Sequence, residues 1–152
     1  MKKIDIPAVP VRRGSAYPPP YDAPCTPRDR KALGDAGGLS QFGVNLMTLS
    51  PGTWSSQRHW HSHEDEFVWV LEGELVLVTD AGEEILLPGD CTAFKAGDAN
   101  GHHIINRSSS PAKLLEVGAR NTLDRTVYSE ADMVAEPDDD FYRHRDGTPY
   151  PK

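Results

Sequence analysis

The chain predicts an all-β domain closed into a sandwich or barrel, and three observations carry that reading. From Phe42 onward, short runs of β-branched and aromatic residues follow one another at close spacing. Turn signals separate them: Pro51-Gly52, Glu72-Gly73, Asp80-Ala81-Gly82, Pro88-Gly89-Asp90, Gly97-Asp98-Ala99-Asn100-Gly101 and Ser108-Ser109-Ser110-Pro111. Helical signal is nearly absent. It is confined to one short turn at Ser129 to Ala135, where Ser129 can cap and Asp132 follows three residues on. Short strands joined by frequent turns build sandwiches and barrels.

In chain order, residues 5 to 38 come first, and they hold Pro7, Pro10, Pro18, Pro19, Pro20, Pro24 and Pro27 together with Gly14, Gly34, Gly37 and Gly38. Regular structure is scarce in such a stretch, so residues 1–38 are read as an extended arm. Its Val9, Val11, Tyr17 and Tyr21 can lie along the core or along a neighbouring subunit. Strands are expected near 42–50, 57–63, 66–71, 74–79, 84–87, 91–95, 102–107 and 112–118. In the third of these, Phe67, Trp69 and Leu71 alternate with Val68 and Val70, so the strand is apolar on both faces. Such a strand needs cover outside the barrel, from the arm or from a second subunit, and a homodimer is the expected assembly. The barrel is assigned to residues 39–120. Residues 121–152 form a C-terminal segment packed on it or trailing from it, with the polar stretch from Asp138 to Lys152 read as a surface tail.

A chain of 16.7 kDa with 38% hydrophobic and 26% charged residues has the composition of one globular domain with a real core. The formal net charge of −7 and the absence of any Lys/Arg cluster in the sequence argue against nucleic acid as a partner. No segment approaches the ~20 apolar residues of a membrane span, and Met1-Lys2-Lys3-Ile4-Asp5 is not followed by an apolar run. The expected location is therefore the cytoplasm, with no membrane partner. Cys25 and Cys91 are too few for a disulfide scaffold; both are read as free thiols, Cys91 as a buried one.

Five of the six histidines lie between His59 and His103, three of them in the stretch Arg58-His59-Trp60-His61-Ser62-His63. Alternate residues of an extended chain face the same way, which sets His59, His61 and His63 on one surface. His59 and His61, with Glu66 at the start of the next strand, form a coherent metal-ligand set. A fourth ligand must come from elsewhere. Gly101-His102-His103-Ile104-Ile105-Asn106 offers one, with one histidine on each face of a further strand, of which only one can point inward.

These residues resemble the two motifs of the cupins, a family of small β-barrels. The first motif is matched by Gly52, His59, His61, Glu66 and Gly73, with one extra residue after Gly52, and the second by Gly89, Gly97, His102 and Asn106. Lys95 stands where the family usually has proline, and four residues rather than two separate Gly97 from His102, so a longer loop is expected at the barrel mouth. The resemblance implies a single cupin-type barrel, a jelly-roll-like double-stranded β-helix with an extended N-terminal arm. It also implies that His59, His61, Glu66 and His102 are the metal ligands. The wider pattern, including the late Arg145-Asp146-Gly147-Thr148-Pro149-Tyr150, is similar to bacterial single-domain cupins without an agreed activity.

Three imidazoles and one carboxylate suit one divalent Fe, Mn, Ni, Co, Cu or Zn ion per chain and do not suit an all-oxygen Ca²⁺ site. Two functions follow as expectations. The first is a metal-dependent enzyme, of dioxygenase or isomerase type, acting on a small polar molecule. The second is a non-catalytic small-molecule or sugar-binding module. No general base is identified from sequence. His63 is expected on the rim, His103 on the outer face as a hydrogen-bonding residue, His144 in solvent, and Arg58 as an ion-pair partner for the arm.

Overall fold

The computed structural model describes residues 3–137 and 139–151; Met1, Lys2, Asp138 and Lys152, at the ends of the expected arm and tail, lie outside the described residues. The central strands form where the pattern places them: β3 (Phe42–Leu49), β4 (His59–His61), β5 (Glu66–Glu72), β6 (Leu75–Thr79), β7 (Gly82–Leu86), β8 (Cys91–Phe94), β9 (His103–Ile105) and β10 (Ala112–Ala119). The arm contributes β1 (Arg12–Arg13) and β2 (Asp29–Ala32), and the C-terminal segment contributes β11 (Thr126–Tyr128), β12 (Val134–Ala135) and β13 (Tyr142–Arg143).

The strands pair as three sheets, a six-stranded one in the order β1-β2-β3-β10-β5-β8, a four-stranded one in the order β13-β12-β11-β4, and a three-stranded one in the order β7-β6-β9. The two smaller sheets meet through a paired bridge between His59 and His102, whose backbones exchange hydrogen bonds of 3.1 and 2.9 Å. Together they form one wall of the barrel, and the six-stranded sheet forms the other. Met47, Leu49, Val68, Val70 and Leu114 project inward from the large sheet and meet Leu75, Leu77, Leu86 and Ile104 from the opposite wall. This dry half of the barrel interior leaves the other half for polar side chains.

Several expectations are corrected. The arm is not purely extended coil: β2 pairs antiparallel with β3, from Asp29↔Thr48 to Ala32↔Asn45, and the short helix α1 (Leu33–Ala36) follows it. Local proline content disfavours regular structure, but the free edge of β3 supplies hydrogen-bond partners that local sequence does not reveal. No helix forms over Ser129 to Ala135; turns lead instead into β12, which pairs with β11. The polar tail also packs: Tyr142 and Tyr150 join Tyr17 and Tyr21 of the arm around Tyr128, Ala131 and Met133 in a second apolar cluster. His144 is stacked on Tyr150 at 3.8 Å and bonded to Asp132 at 2.8 Å rather than simply solvated. Arg58 pairs with Asp80 and Glu130, not with the arm. Cys91 is exposed, on the outward parity of β8, whereas Cys25 is buried as a free thiol.

Candidate metal centre

Register places the candidate ligands. His59 and His61 are two apart on β4, and His102 is the direct antiparallel partner of His59, so all three imidazoles leave the same wall on the same face. Glu66 opens β5 on the opposite wall, at the inward parity it shares with Val68 and Val70. Its Oε2 lies 2.8 Å from His102 Nε2 and 3.6 Å from Nε2 of both His59 and His61. His59, His61 and Glu66 form a group whose donor atoms all lie within 4.8 Å of one another.

The other ring nitrogens are engaged outward. His59 Nδ1 lies 2.8 Å from the Gln57 carbonyl, which can only accept, so Nδ1 carries the hydrogen and Nε2 turns its lone pair inward. His61 Nδ1 does the same with Asp124 Oδ2 at 2.6 Å. Burial pushes the Asp124 carboxyl up, but hydrogen bonds from His61 and the His63 backbone outweigh it and hold Asp124 below the usual carboxylate range. Outward donation to a carbonyl or carboxylate is how ligating histidines are oriented. Phe94, cross-strand from Glu66, stacks on the His102 ring at 3.4 Å and holds its plane.

The electrostatics agree with a cation at this point. Burial raises the proton affinity of Glu66, yet the hydrogen bond from His102 and the nearby His59 and His61 rings keep it well below the usual range, so the carboxylate is ionised. Burial lowers the His102 pKa, keeping that ring neutral, whereas Glu66 overcomes burial at His59 and raises it. A largely buried carboxylate surrounded by imidazoles requires positive charge, from an imidazolium or a divalent ion. Nitrogen and carboxylate donors of this set fit a transition metal.

The neighbouring histidines separate from the set. His63 is exposed and bonds Ser62 Oγ at 2.8 Å. His103 points to the other side of β9, where its Nδ1 donates to the Ser56 carbonyl at 3.2 Å and Trp54 packs edge-on at 4.7 Å. Burial lowers its pKa to about 4, so the ring stays neutral. Sequence reasoning missed Asp124 and Glu116. Asp124 lies in a loop without a motif, but Glu116 carried a signal: it is a carboxylate at the inward parity of the apolar strand Leu114 to Val117. Burial raises its pKa, and its Oε1 accepts a hydrogen bond from Asn45 Nδ2 at 2.9 Å.

The two larger cavities beside the centre differ in lining. One, of about 220 Å³, is lined by Glu66, His102, Lys95 and Asn100, and the second, of about 400 Å³, lies between the arm and the barrel and is lined by His59, His61, Glu66 and Glu116. The second also gathers Arg12, Arg13, Arg28 and Arg30. The sequence shows no basic cluster because two separate arm segments supply these arginines; pairing of β1 with β2 brings them together.

Residues 45–118 match the Cupin domain family. A solved structure of a sugar phosphate isomerase from a cupin superfamily, from Silicibacter pomeroyi, is 47% identical to this chain, with 99% of this chain and 97% of that one covered at a TM-score of 0.93. The chain belongs to the cupin superfamily. This cupin is also 31% identical to a protein from Acidithiobacillus ferrooxidans provisionally assigned as a sugar phosphate isomerase, over 82% of this chain and 74% of that one, with a TM-score of 0.68. The polyketide cyclase RemF from Streptomyces resistomycificus shares the fold at 20% identity and a TM-score of 0.64, over 87% and 89% of the two chains. Among curated proteins none matches. No helix among the described residues is long and apolar enough to cross a membrane.

Proposed function

We propose that this cupin is a metal-dependent isomerase that interconverts the aldose and ketose forms of a sugar phosphate, with His59, His61, Glu66 and His102 holding one divalent transition-metal ion per chain. The observation that carries the reading is the convergence of three imidazoles on Glu66 Oε2, two of them with Nε2 lone pairs turned inward by Gln57 and Asp124. The 47% identity over nearly the whole chain to a protein described as a sugar phosphate isomerase supports the reaction class.

Held by these four residues, a divalent ion would supply Lewis-acid polarisation of a substrate carbonyl. This chain's residues do the rest. Asp124 and the Gln57 carbonyl keep the His61 and His59 rings aimed. Glu116 is the candidate proton carrier: burial raises its pKa, Asn45 donates to its Oε1, and it lines the arm-side cavity. The barrel, residues 39–120, carries the centre, and residues 12–30 of the arm contribute to the lining of the second cavity beside it.

The test is conversion of a panel of pentose and hexose phosphates, followed by NMR, with protein of measured metal content. We expect one substrate class to be isomerised at a rate that vanishes in His61→Ala. Tight binding of the panel without turnover would replace this reading with a binding module. Oxygen uptake with catechols, thiols or keto acids would replace it with an oxidative enzyme.

A further inference from the structure

The arm-side cavity has a second chemically distinct end. Arg12 and Arg30 are direct cross-strand partners in the β1–β2 pair, and Arg30 is in turn the partner of Met47, whose side chain is fully buried inside the barrel. Arg30 therefore faces inward, and Arg12 faces the same way beside it. Like charges directly opposite one another on a sheet repel and destabilise the pair. Acidic partners would normally relieve this, but those nearby are engaged elsewhere.

Arg13 is bound by Asp29 through two hydrogen bonds of 2.7 and 2.8 Å. Asp35, whose carboxyl feels both Arg12 and Arg30, is taken by Arg120, and Glu116, which feels Arg30, is hydrogen-bonded to Asn45. Buried Arg28 donates to the carbonyls of Gly14 and Ser55, which fixes the arm but leaves its positive charge in place. Among the described residues Arg12 and Arg30 have no ion pair or side-chain hydrogen bond. A chain of net charge −7 thus holds a positive cavity end with no internal counter-charge at ion-pair distance.

We propose that Arg12 and Arg30 form an anion subsite for the phosphate of the substrate, whose carbonyl end reaches His59, His61 and Glu66 in the same cavity. This rests on the sugar phosphate reading above and adds to it the residues that select a phosphorylated substrate. Two guanidinium groups match the double negative charge of a phosphomonoester and its several acceptor oxygens better than the single charge of a sugar acid. The arm is then a specificity element, because pairing of β1 with β2 and of β2 with β3 places both guanidinium groups at the cavity.

The probes are inorganic phosphate, ribose 5-phosphate, ribose and ribonate, titrated calorimetrically into the metal-loaded full chain and its Arg12→Gln, Arg30→Gln and Arg13→Gln variants. We expect both phosphorylated probes to bind the parent, ribose and ribonate to bind more weakly, and each of Arg12→Gln and Arg30→Gln to lower phosphate affinity by roughly tenfold or more. Arg13→Gln, whose charge Asp29 already neutralises, should lose little. A second readout needs no turnover. Inorganic phosphate should raise the thermal midpoint of the parent, and that rise should be missing in Arg30→Gln, which should itself be no less stable than the parent in phosphate-free buffer. Equal losses in all three variants, tighter binding of ribonate than of ribose 5-phosphate, or unchanged affinity in Arg12→Gln and Arg30→Gln would overturn the subsite. Phosphate binding that depends on Arg12 and Arg30 without any isomerisation would keep the subsite and remove the reaction, so the two failures are distinguishable.

Discussion

His61 uses its two ring nitrogens for different purposes: Nδ1 meets Asp124 at 2.6 Å, and Nε2 turns toward Glu66. His63, two residues on, shares its strand parity, but the chain has turned by then and its ring meets Ser62 in solvent. His61→Ala is therefore expected to weaken metal affinity by orders of magnitude, and Asp124→Asn by about 10- to 100-fold through loss of ring orientation. His63→Ala should weaken it by less than about tenfold. Competition titrations against a chromophoric chelator measure all three, and equal losses for His61→Ala and His63→Ala would refute this division.

The loop from Gly97 to Gly101 is longer than the family pattern, and an extra residue entering β9 could exchange the roles of His102 and His103. Two interactions prevent that. Asn100 Oδ1 accepts the Asp80 amide at 2.8 Å, anchoring the loop, and the His59–His102 bridge sets the strand that follows. We expect His102→Ala to lose metal while His103→Ala retains it; the reverse stoichiometry in the purified variants would mean a shifted register. The β5–β6 turn is equally constrained. Gly73 has φ of +81°, and a Cβ there would lie 2.8 Å from Ala112 Cβ and 2.9 Å from its Cα. Gly73→Ala should cost on the order of 3 kcal/mol in urea unfolding, from backbone strain plus the clash against β10. A cost below about 1 kcal/mol would show that the turn relaxes freely.

At the scale of the whole molecule, one broad face is left uncovered among the described residues. Phe67, Trp69 and Leu71 are 38%, 47% and 39% exposed on the outward side of β5, the cover anticipated from the arm having gone to the edge of β3 instead. Outward-facing Leu115 and Val117 of β10 lie beside Trp69 and Phe67, extending the apolar surface across the sheet. A contiguous patch of this kind is where the homodimer expected from the sequence would form. Trp69→Glu should yield a monomer by sedimentation equilibrium. Cys91 is the cross-strand partner of Trp69, so its alkylation should be slow in the parent and fast in that variant. Cys25 should stay unreactive in both, since burial raises its pKa to about 11. An unchanged sedimentation profile would reject the interface.

The eight central strands and the inward set His59, His61, Glu66 and His102 were legible in the sequence because they rest on local rules. Pleating fixes which residues share a face, and turn residues mark where strands end, so both motifs could be placed before any contact was known. The choice of His102 over His103 comes instead from the resemblance to the cupin motif, whose spacing is counted back from Asn106; the fully buried Asn106 amide bonds the carbonyls of Leu49 and Ser110. What lay beyond the sequence depends on partners distant along the chain. Asp124 reaches His61 across 63 residues, and Tyr142 and Tyr150 pack against the arm from the other end of the molecule. Arg12 and Arg30 face one cavity only because β2 docks on the edge of β3 and β1 docks on β2. Periodicity states which way a side chain points from its own strand, but not which strand lies opposite; edge pairing and barrel closure decide that.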